Sequence, residues 1–256
     1  MTGVFAHRKV LVTGATSGIG TACAKLFAER GAEVMLAGRD AARGAAIVEE
    51  IERAGGVAAF HAGDIREVDY CEAVVRATCD RFGGLDVLIN SAGIWHAATT
   101  LETTDAQWHE TMDVNITGLF FVSRAALRVM VEQRSGNIIH IASDWGLFGG
   151  REAAAYCASK GAVVLLTKAM ALDHAADGIR INVLCPADTD TPMMEEDYRL
   201  RGIAYEEGKR LSSESNPMGR MAEAIDVAEA ACFLASDAAG FITGVSLPID
   251  GGETAR

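Results

Sequence analysis

The chain has 256 residues, half of them hydrophobic, with 27 glycines, only 4 prolines and a formal net charge of −12. That length suits a large α/β domain with a full core, and the apolar share excludes a disordered chain. The acidic balance argues against nucleic-acid and anionic-membrane partners, because both need a basic face.

The six cysteines (Cys23, Cys71, Cys79, Cys157, Cys185, Cys232) form no CxxC pair, so neither a zinc site nor a redox dithiol is signalled and no metal is expected. The opening MTGVFAHRKVLVTG lacks the basic-then-apolar layout of an export signal. No uncharged apolar run approaches the ~20 residues of a membrane span. A cytoplasmic protein acting on a small molecule is the expectation.

Along the chain, strand-like runs fall at KVLVT (9–13), EVMLA (33–37), VAAFHA (57–62), DVLIN (86–90), NIIHIA (137–142), IRINVLC (179–185) and SLPI (246–249). Helical patterns lie between them. Ile19, Cys23, Leu26 and Phe27 repeat at helical spacing, and Gly31 stops that helix. Gly55-Gly56, Gly83-Gly84 and Gly178 punctuate later units. Alternation of near-continuous apolar strands with helices predicts an α/β fold, a Rossmann-like doubly wound, mostly parallel seven-stranded sheet with helices on both faces. With neither linker nor repeat, residues 1–256 read as a single domain. The least regular stretch, about 188–221, is charged and Met-containing, a candidate substrate lid.

The first strand runs into Thr13-Gly14-Ala15-Thr16-Ser17-Gly18-Ile19-Gly20, which opens a helix. Glycines let backbone approach a ligand closely, and a helix N-terminus offers unpaired N–H groups to phosphate. The spacing is GxxxGxG, not the commoner GxGxxG of dinucleotide sites. The end of the second strand chooses the cofactor, since an acid there would take the ribose 2′-OH and a base the 2′-phosphate. In Ala37-Gly38-Arg39-Asp40 the acidic position is Gly38 and Arg39 follows, which favours NADP(H). Alternatively Arg39 is solvated while Asp40 caps the next helix. If the strand runs two residues longer, Asp40 meets the ribose and NAD(H) is selected.

Glu152–Ala176 contains no Pro and one Gly, so it should be helical. Tyr156 and Lys160 then share a face, with Cβ atoms ~5–6 Å apart. Together with Asp64-Ile65, Asn90-Ser91-Ala92-Gly93, Asn115 in DVNITG and Ser143 after the fifth strand, this pattern resembles the single-domain short-chain dehydrogenase/reductases from Lys9 to Gly252. The resemblance implies one dinucleotide-binding catalytic domain and a homotetramer. It implies that Gly14, Ser17, Gly18, Ile19 and Gly20 hold the pyrophosphate, and that Asp64 and Ile65 meet the adenine. Asn90, Ala92 and Gly93 would pass the ribose, and Thr189 and Thr191 would contact the nicotinamide amide. Ser143, Tyr156 and Lys160 would form the catalytic centre, Asn115 holding a water linked to Lys160. Tyr156 and Lys160 would also touch the cofactor. Ser91 and Ala187 depart from the family's usual Asn and Gly; the second narrows the pocket wall.

A cation ~6 Å from a phenol, at an effective dielectric of ~20, contributes ~3 kcal/mol, enough to bring a Tyr from ~10 toward ~8 before burial opposes it. The expected reaction interconverts a secondary alcohol and a ketone, with Tyr156 as acid or base and Ser143 and Tyr156 on the oxygen. Trp95, His96, Asp144, Trp145, Phe148, Ala187 and part of 190–215 are candidate substrate neighbours. The two rings favour an apolar or ring-bearing substrate, whereas Asp144 and His96 suit a sugar or polyol.

A 3-oxoacyl-[acyl-carrier-protein] reductase is an alternative, Arg134 occupying a basic docking position but Asp177 the second. A nucleotide-binding regulatory protein on the same fold would have lost Ser143, Tyr156 or Lys160. A methyltransferase would have no use for the Tyr–Lys pair.

Overall fold

The computed structural model describes residues 3–255, so Met1, Thr2 and Arg256 of the expected 1–256 domain lie outside the described residues. The strands are β1 (Lys9–Thr13), β2 (Glu33–Gly38), β3 (Val57–Ala62), β4 (Val87–Asn90), β5 (Gly136–Ile141), β6 (Ile179–Pro186), β7 (Thr189–Asp190), β8 (Ala222–Glu223) and β9 (Ser246–Ile249). Seven of them form one parallel sheet ordered β3-β2-β1-β4-β5-β6-β9, and β7 pairs with β8 apart from it. The strand order reverses between β1 and β4, the place where open α/β sheets bind ligands beyond their carboxyl ends. The seven main strands match the expected ones to within one residue at either end.

The helices are α1 (Gly18–Glu29), α2 (Ala41–Arg53), α3 (Val68–Phe82), α4 (Asp105–Met112), α5 (Leu119–Gln133), α6 (Ala154–His174), α7 (Pro192–Leu200), α8 (Tyr205–Ser215) and α9 (Ala224–Ala235). Val10, Leu11, Val12, Leu88 and Ile89 are all fully buried. Such strands cannot alternate polar and apolar residues, because helices cover both faces. On one face Cys23 and Phe27 of α1 join Ile47 of α2 and Val227 and Ala231 of α9 over Val10, Val12 and Val34. On the other, Val74 of α3, Val122 and Met130 of α5 and Met170 of α6 cover Leu11, Leu88 and Ile138. Gly31, at φ +94°, ends the α1 unit in a backbone conformation that disfavours other residues.

Two helical runs, Asp105–Gln133 and Ala154–Asp177, are long and apolar enough to cross a membrane by length and composition. Both lie against the sheet, with about half of each apolar window buried in the protein. A π-helical segment, Asp113–Gly118, joins α4 to α5 and carries Asn115; such segments are often found at functional sites. The stretch 188–221, expected to be irregular, contains α7 and α8. These helices bury few side chains, Tyr198 and Asp197 among them, and carry the pairs Arg199–Glu196 and Arg210–Glu207 along their exposed sides. Their polar surfaces left little apolar periodicity to read.

Candidate active site

The glycine turn sits at the carboxyl end of β1. Gly14 has φ +64°, and a Cβ there would lie 2.6 Å from the Ala92 Cα, so only glycine lets the turn pass β4's exit. A Cβ on Gly20 would lie 2.2 Å from the Gly14 carbonyl oxygen. Gly20 therefore holds α1 against the turn and does not itself line the cleft. That cleft, about 1040 Å³ including open solvent, is lined by Gly14, Ser17, Gly18, Ile19, Arg39, Asp64, Ile65, Ala92, Gly93, Tyr156, Lys160 and Thr191 among others. Ser17 is the N-cap of α1 and its side chain makes no capping bond, which leaves the first N–H groups of that helix to a ligand. A glycine cradle at a helix N-terminus fits the pyrophosphate of a nicotinamide dinucleotide.

β2 ends at Gly38, and the Asp40 side chain accepts from the Arg43 N–H as the N-cap of α2. Asp40 is thus committed away from the cleft, while Arg39 lines it and is exposed. Among the described residues no side chain hydrogen-bonds Arg39. Thr16, which the sequence did not single out, also lines the cleft; its methyl lies where a Gly38 side chain would have to be. Asp64 is gripped by Arg66 at 2.6 Å, and that bond holds its carboxyl below the usual range.

Three of the expected cofactor contacts do not line this cleft. Asn90 is buried, and its Nδ2 donates to Ser123 Oγ at 2.8 Å, so it braces β4 from beneath and does not line the cleft. Gly20 packs as described. Thr189 lines the neighbouring cleft, its hydroxyl donating to the Ala187 carbonyl at 2.8 Å.

That second cleft, about 1120 Å³, is lined by Trp95, Ser143, Asp144, Trp145, Tyr156, Ala187, Asp188, Asp197 and Tyr198 among others. The two clefts share Ile19, Ala142, Tyr156, Thr191 and Met193, so they meet at the phenol. Trp95 and Trp145 stand edge-on to the Tyr156 ring, centroids 5.1 and 6.2 Å away. Trp95 is fixed by Asp197 of α7, which accepts from its indole N–H at 2.8 Å and from Arg201 Nε at 2.8 Å. Asp197 lies 102 residues from Trp95, and no local pattern announces it. His96 pairs with Glu110 at 3.1 Å away from the cleft. Phe148 borders a smaller adjoining cavity.

Ser143 follows β5, almost buried, and its Oγ donates to Asp144 Oδ1 at 2.9 Å and accepts from the Trp145 N–H at 3.2 Å. Burial raises the Tyr156 phenol above its ordinary range, outweighing the opposite influence of the nearby Ser143 hydroxyl. The expected drop toward ~8 does not occur. Burial also lowers the Lys160 ammonium to about 8. Its Nζ donates to the Ile141 carbonyl at 3.0 Å and lies 5.5 Å from the Tyr156 ring centre. Both groups lose hydration, and that loss is the largest influence on each. Asn115 is fully buried. Its Oδ1 accepts from the Ile94 N–H at 2.8 Å and its Nδ2 donates to Ser159 Oγ at 3.0 Å. It ties the β4 exit to α6 beside Lys160. A Cβ on Gly93 would contact both Lys160 Nζ and Asn115 Oδ1, at 3.3 and 3.4 Å.

A doubly wound sheet with a phosphate-binding turn, and a serine and a tyrosine where two clefts join, defines a dinucleotide-dependent oxidoreductase. A family model described as "Enoyl-(Acyl carrier protein) reductase" matches residues 14–254. The chain is 40% identical to meso-2,3-butanediol dehydrogenase of Serratia marcescens, covering 98% of this chain and 96% of that one. It is 38% identical to 2,5-dichloro-2,5-cyclohexadiene-1,4-diol dehydrogenase of Sphingobium indicum, covering 96% of each. The solved structure of an actinorhodin polyketide ketoreductase variant with NADPH superposes with TM-score 0.93 at 34% identity over the whole of both chains. The chain belongs to the short-chain dehydrogenase/reductase family and is an oxidoreductase interconverting secondary alcohols and ketones. The regulatory, methyltransferase and carrier-protein readings are not favoured.

Proposed function

We propose that the protein uses NADP(H) to interconvert a small, uncharged, ring-bearing or branched secondary alcohol and its ketone. The observation that carries this is the meeting of the two clefts at Tyr156, with Ser143 lining the second cleft together with it. When bound, the nicotinamide supplies or accepts the hydride at the carbon bearing the oxygen. Gly14, Ser17, Gly18 and Ile19 hold the pyrophosphate, Asp64 and Ile65 the adenine, Ala92 and Gly93 the ribose side, and Thr191 the nicotinamide end. Tyr156 gives a proton to the oxygen in reduction and takes it in oxidation. Ser143 positions the oxygen, Lys160 supplies positive charge, and Asn115 holds the loop that carries Gly93.

Arg39 at the cleft, Gly38 without a carboxylate and Asp40 capping α2 support the phosphorylated cofactor. Trp95 and Trp145 support a compact substrate with an apolar face, and the butanediol and cyclohexadiene-diol named for the relatives support a compact one. Arg134 pairs with Asp177 at 3.1 Å, which weakens a basic patch for an acidic carrier protein. The reading includes a single domain, a 188–221 segment that closes over substrate, a cytoplasmic setting and a homotetramer. Exposed Leu165 and Leu172 on α6 support the assembly.

The test combines fluorescence titration with NADPH and NADH, and turnover of cyclohexanol, 2,3-butanediol, cyclohexanone and 2,3-butanedione followed by nicotinamide absorbance. Tyr156→Phe should bind NADPH as the wild type does and lose ~10²–10⁴-fold in turnover. Near-normal turnover in that variant would refute the assignment.

A further inference from the structure

Asp144 follows Ser143 directly, and its carboxylate is not a bystander. Ser143 has a single hydroxyl hydrogen. It is directed to Asp144 Oδ1 at 2.9 Å, an oxygen that also accepts the Trp145 N–H at 2.8 Å. A ketone oxygen offers only lone pairs and needs a donor. With its hydrogen held by an ionised carboxylate, Ser143 presents lone pairs to the cleft and suits an alcohol O–H. Once that carboxylate is neutral it becomes the weaker acceptor, and the Ser143 hydrogen is free to turn to a ketone.

We infer that Asp144 is a positioning residue whose protonation turns the Ser143 hydroxyl from acceptor to donor, and so biases the site between oxidation and reduction. The inference rests on the proposed role of Ser143. Asp144 is 6% exposed and lines the substrate cleft beside the serine. It faces Asp188 beyond β6 and Asp250 after β9, both of which disfavour its ionised form. Tyr156 of α6 and Cys185 of β6 feel its charge. Lys160 of α6 acts on Cys185, and Glu253 borders the small cavity that Asp144 shares with Asp188 and Ser212 of α8. Burial is the largest influence and places Asp144 at about 6, within the working range of a soluble enzyme. Below that value a proton from solvent rests on the carboxyl; above it the carboxylate takes the serine hydrogen.

Two measurements test this. First, kcat/KM for reduction of 2,3-butanedione by NADPH is followed from pH 5 to pH 8. The wild type should gain about tenfold on the acid side of a limb near 6, the difference between a charged and a neutral hydrogen bond, and Asp144→Asn should be flat there. Oxidation of 2,3-butanediol should show the opposite limb, also lost in Asp144→Asn. A flat wild-type profile, or an unchanged limb in the variant, overturns the inference. Second, the aspartate carboxyl ¹³C resonances are titrated without substrate or cofactor. One resonance should titrate near 6 and vanish in Asp144→Asn, or in Asp144→Ser if the first variant does not fold. If Asp144 stays ionised down to pH 5, the inference is overturned whatever the turnover. Turnover surviving in Tyr156→Phe would instead sink the functional assignment; loss there, with a flat wild-type profile, would sink this inference alone.

Discussion

Replacing Lys160 by Met separates what the ammonium does for catalysis from what it costs the fold. Lys160 is 5% exposed, and burial lowers its ammonium from 10.5 to about 8. The sign follows from which state binds more protons. Between those two values the unfolded chain holds a proton that the folded chain has released, so stability rises with pH across that window. Below it the folded state carries the full penalty of a buried charge. From the two values, the wild type should gain ~2 kcal/mol between pH 7 and pH 9.5, a gain that a Met side chain cannot have. At pH 7 the variant sheds a penalty of ~3 kcal/mol and loses the bond to the Ile141 carbonyl, which offsets ~1–3 kcal/mol of it.

Lys160→Met should therefore be about as stable as the wild type at pH 7 and fall behind it at pH 9.5. Activity should drop by ~10²-fold, from ~3 kcal/mol of attraction acting over about the 5.5 Å to the Tyr156 ring at an effective dielectric of ~20. Urea denaturation of both proteins at the two pH values is the assay, since other titrating groups cancel in the comparison. A stability difference that stays constant from pH 7 to pH 9.5 would show that Lys160 is not destabilised by burial. The charge argument for the whole site would then fail.

Arg39→Ala should weaken NADPH binding ~10–100-fold and leave NADH binding unchanged, because a charge-assisted bond to a phosphate contributes ~1.5–3 kcal/mol; equal losses for both cofactors in a fluorescence titration would contradict that. Gly20→Ala places a Cβ 2.2 Å from the Gly14 carbonyl oxygen, so the turn must open, and cofactor binding and melting temperature should fall together; unchanged NADPH affinity would refute the packing role. His140 is fully buried between Thr167 and Ser123, and burial lowers it from 6.5 to about 3. The unfolded chain takes up a proton that the folded chain refuses, so the wild type should lose ~2 kcal/mol as pH falls from 6.5 to 5. In urea denaturation His140→Gln should lack that loss, and an equal acid slope in both proteins would count against the burial argument.

The strands were legible because burial on both faces leaves uninterrupted runs such as Val10–Val12, and the glycine turn because close backbone approach admits no other residue. Tyr156 and Lys160 were legible through the helical four-residue spacing. Asn90 was not, since its place in the family pattern says nothing of a side chain turned inward onto Ser123. Trp95 and Asp197 belong to segments a hundred residues apart and meet only when α7 folds over the cleft. The bond from Ser143 to Asp144 joins sequence neighbours, yet it depends on Ser143 being extended at φ −166° ahead of a 3₁₀ turn, which no residue count reveals.

A pairwise attraction between Tyr156 and Lys160 leaves out the larger influence, because the fold dehydrates both groups. Free Tyr and Lys side chains have nearly equal affinities for a proton, ~10 and ~10.4. In the folded chain burial raises the phenol and lowers the ammonium to about 8, so Lys160 becomes the stronger acid of the two. On the proposed reading this has a direct consequence. A Tyr156 that has given its proton to a substrate oxygen is a strong base in a site whose nearest ammonium releases a proton easily. The same dehydration that denies Tyr156 a low pKa favours its return to the acid form after each reduction.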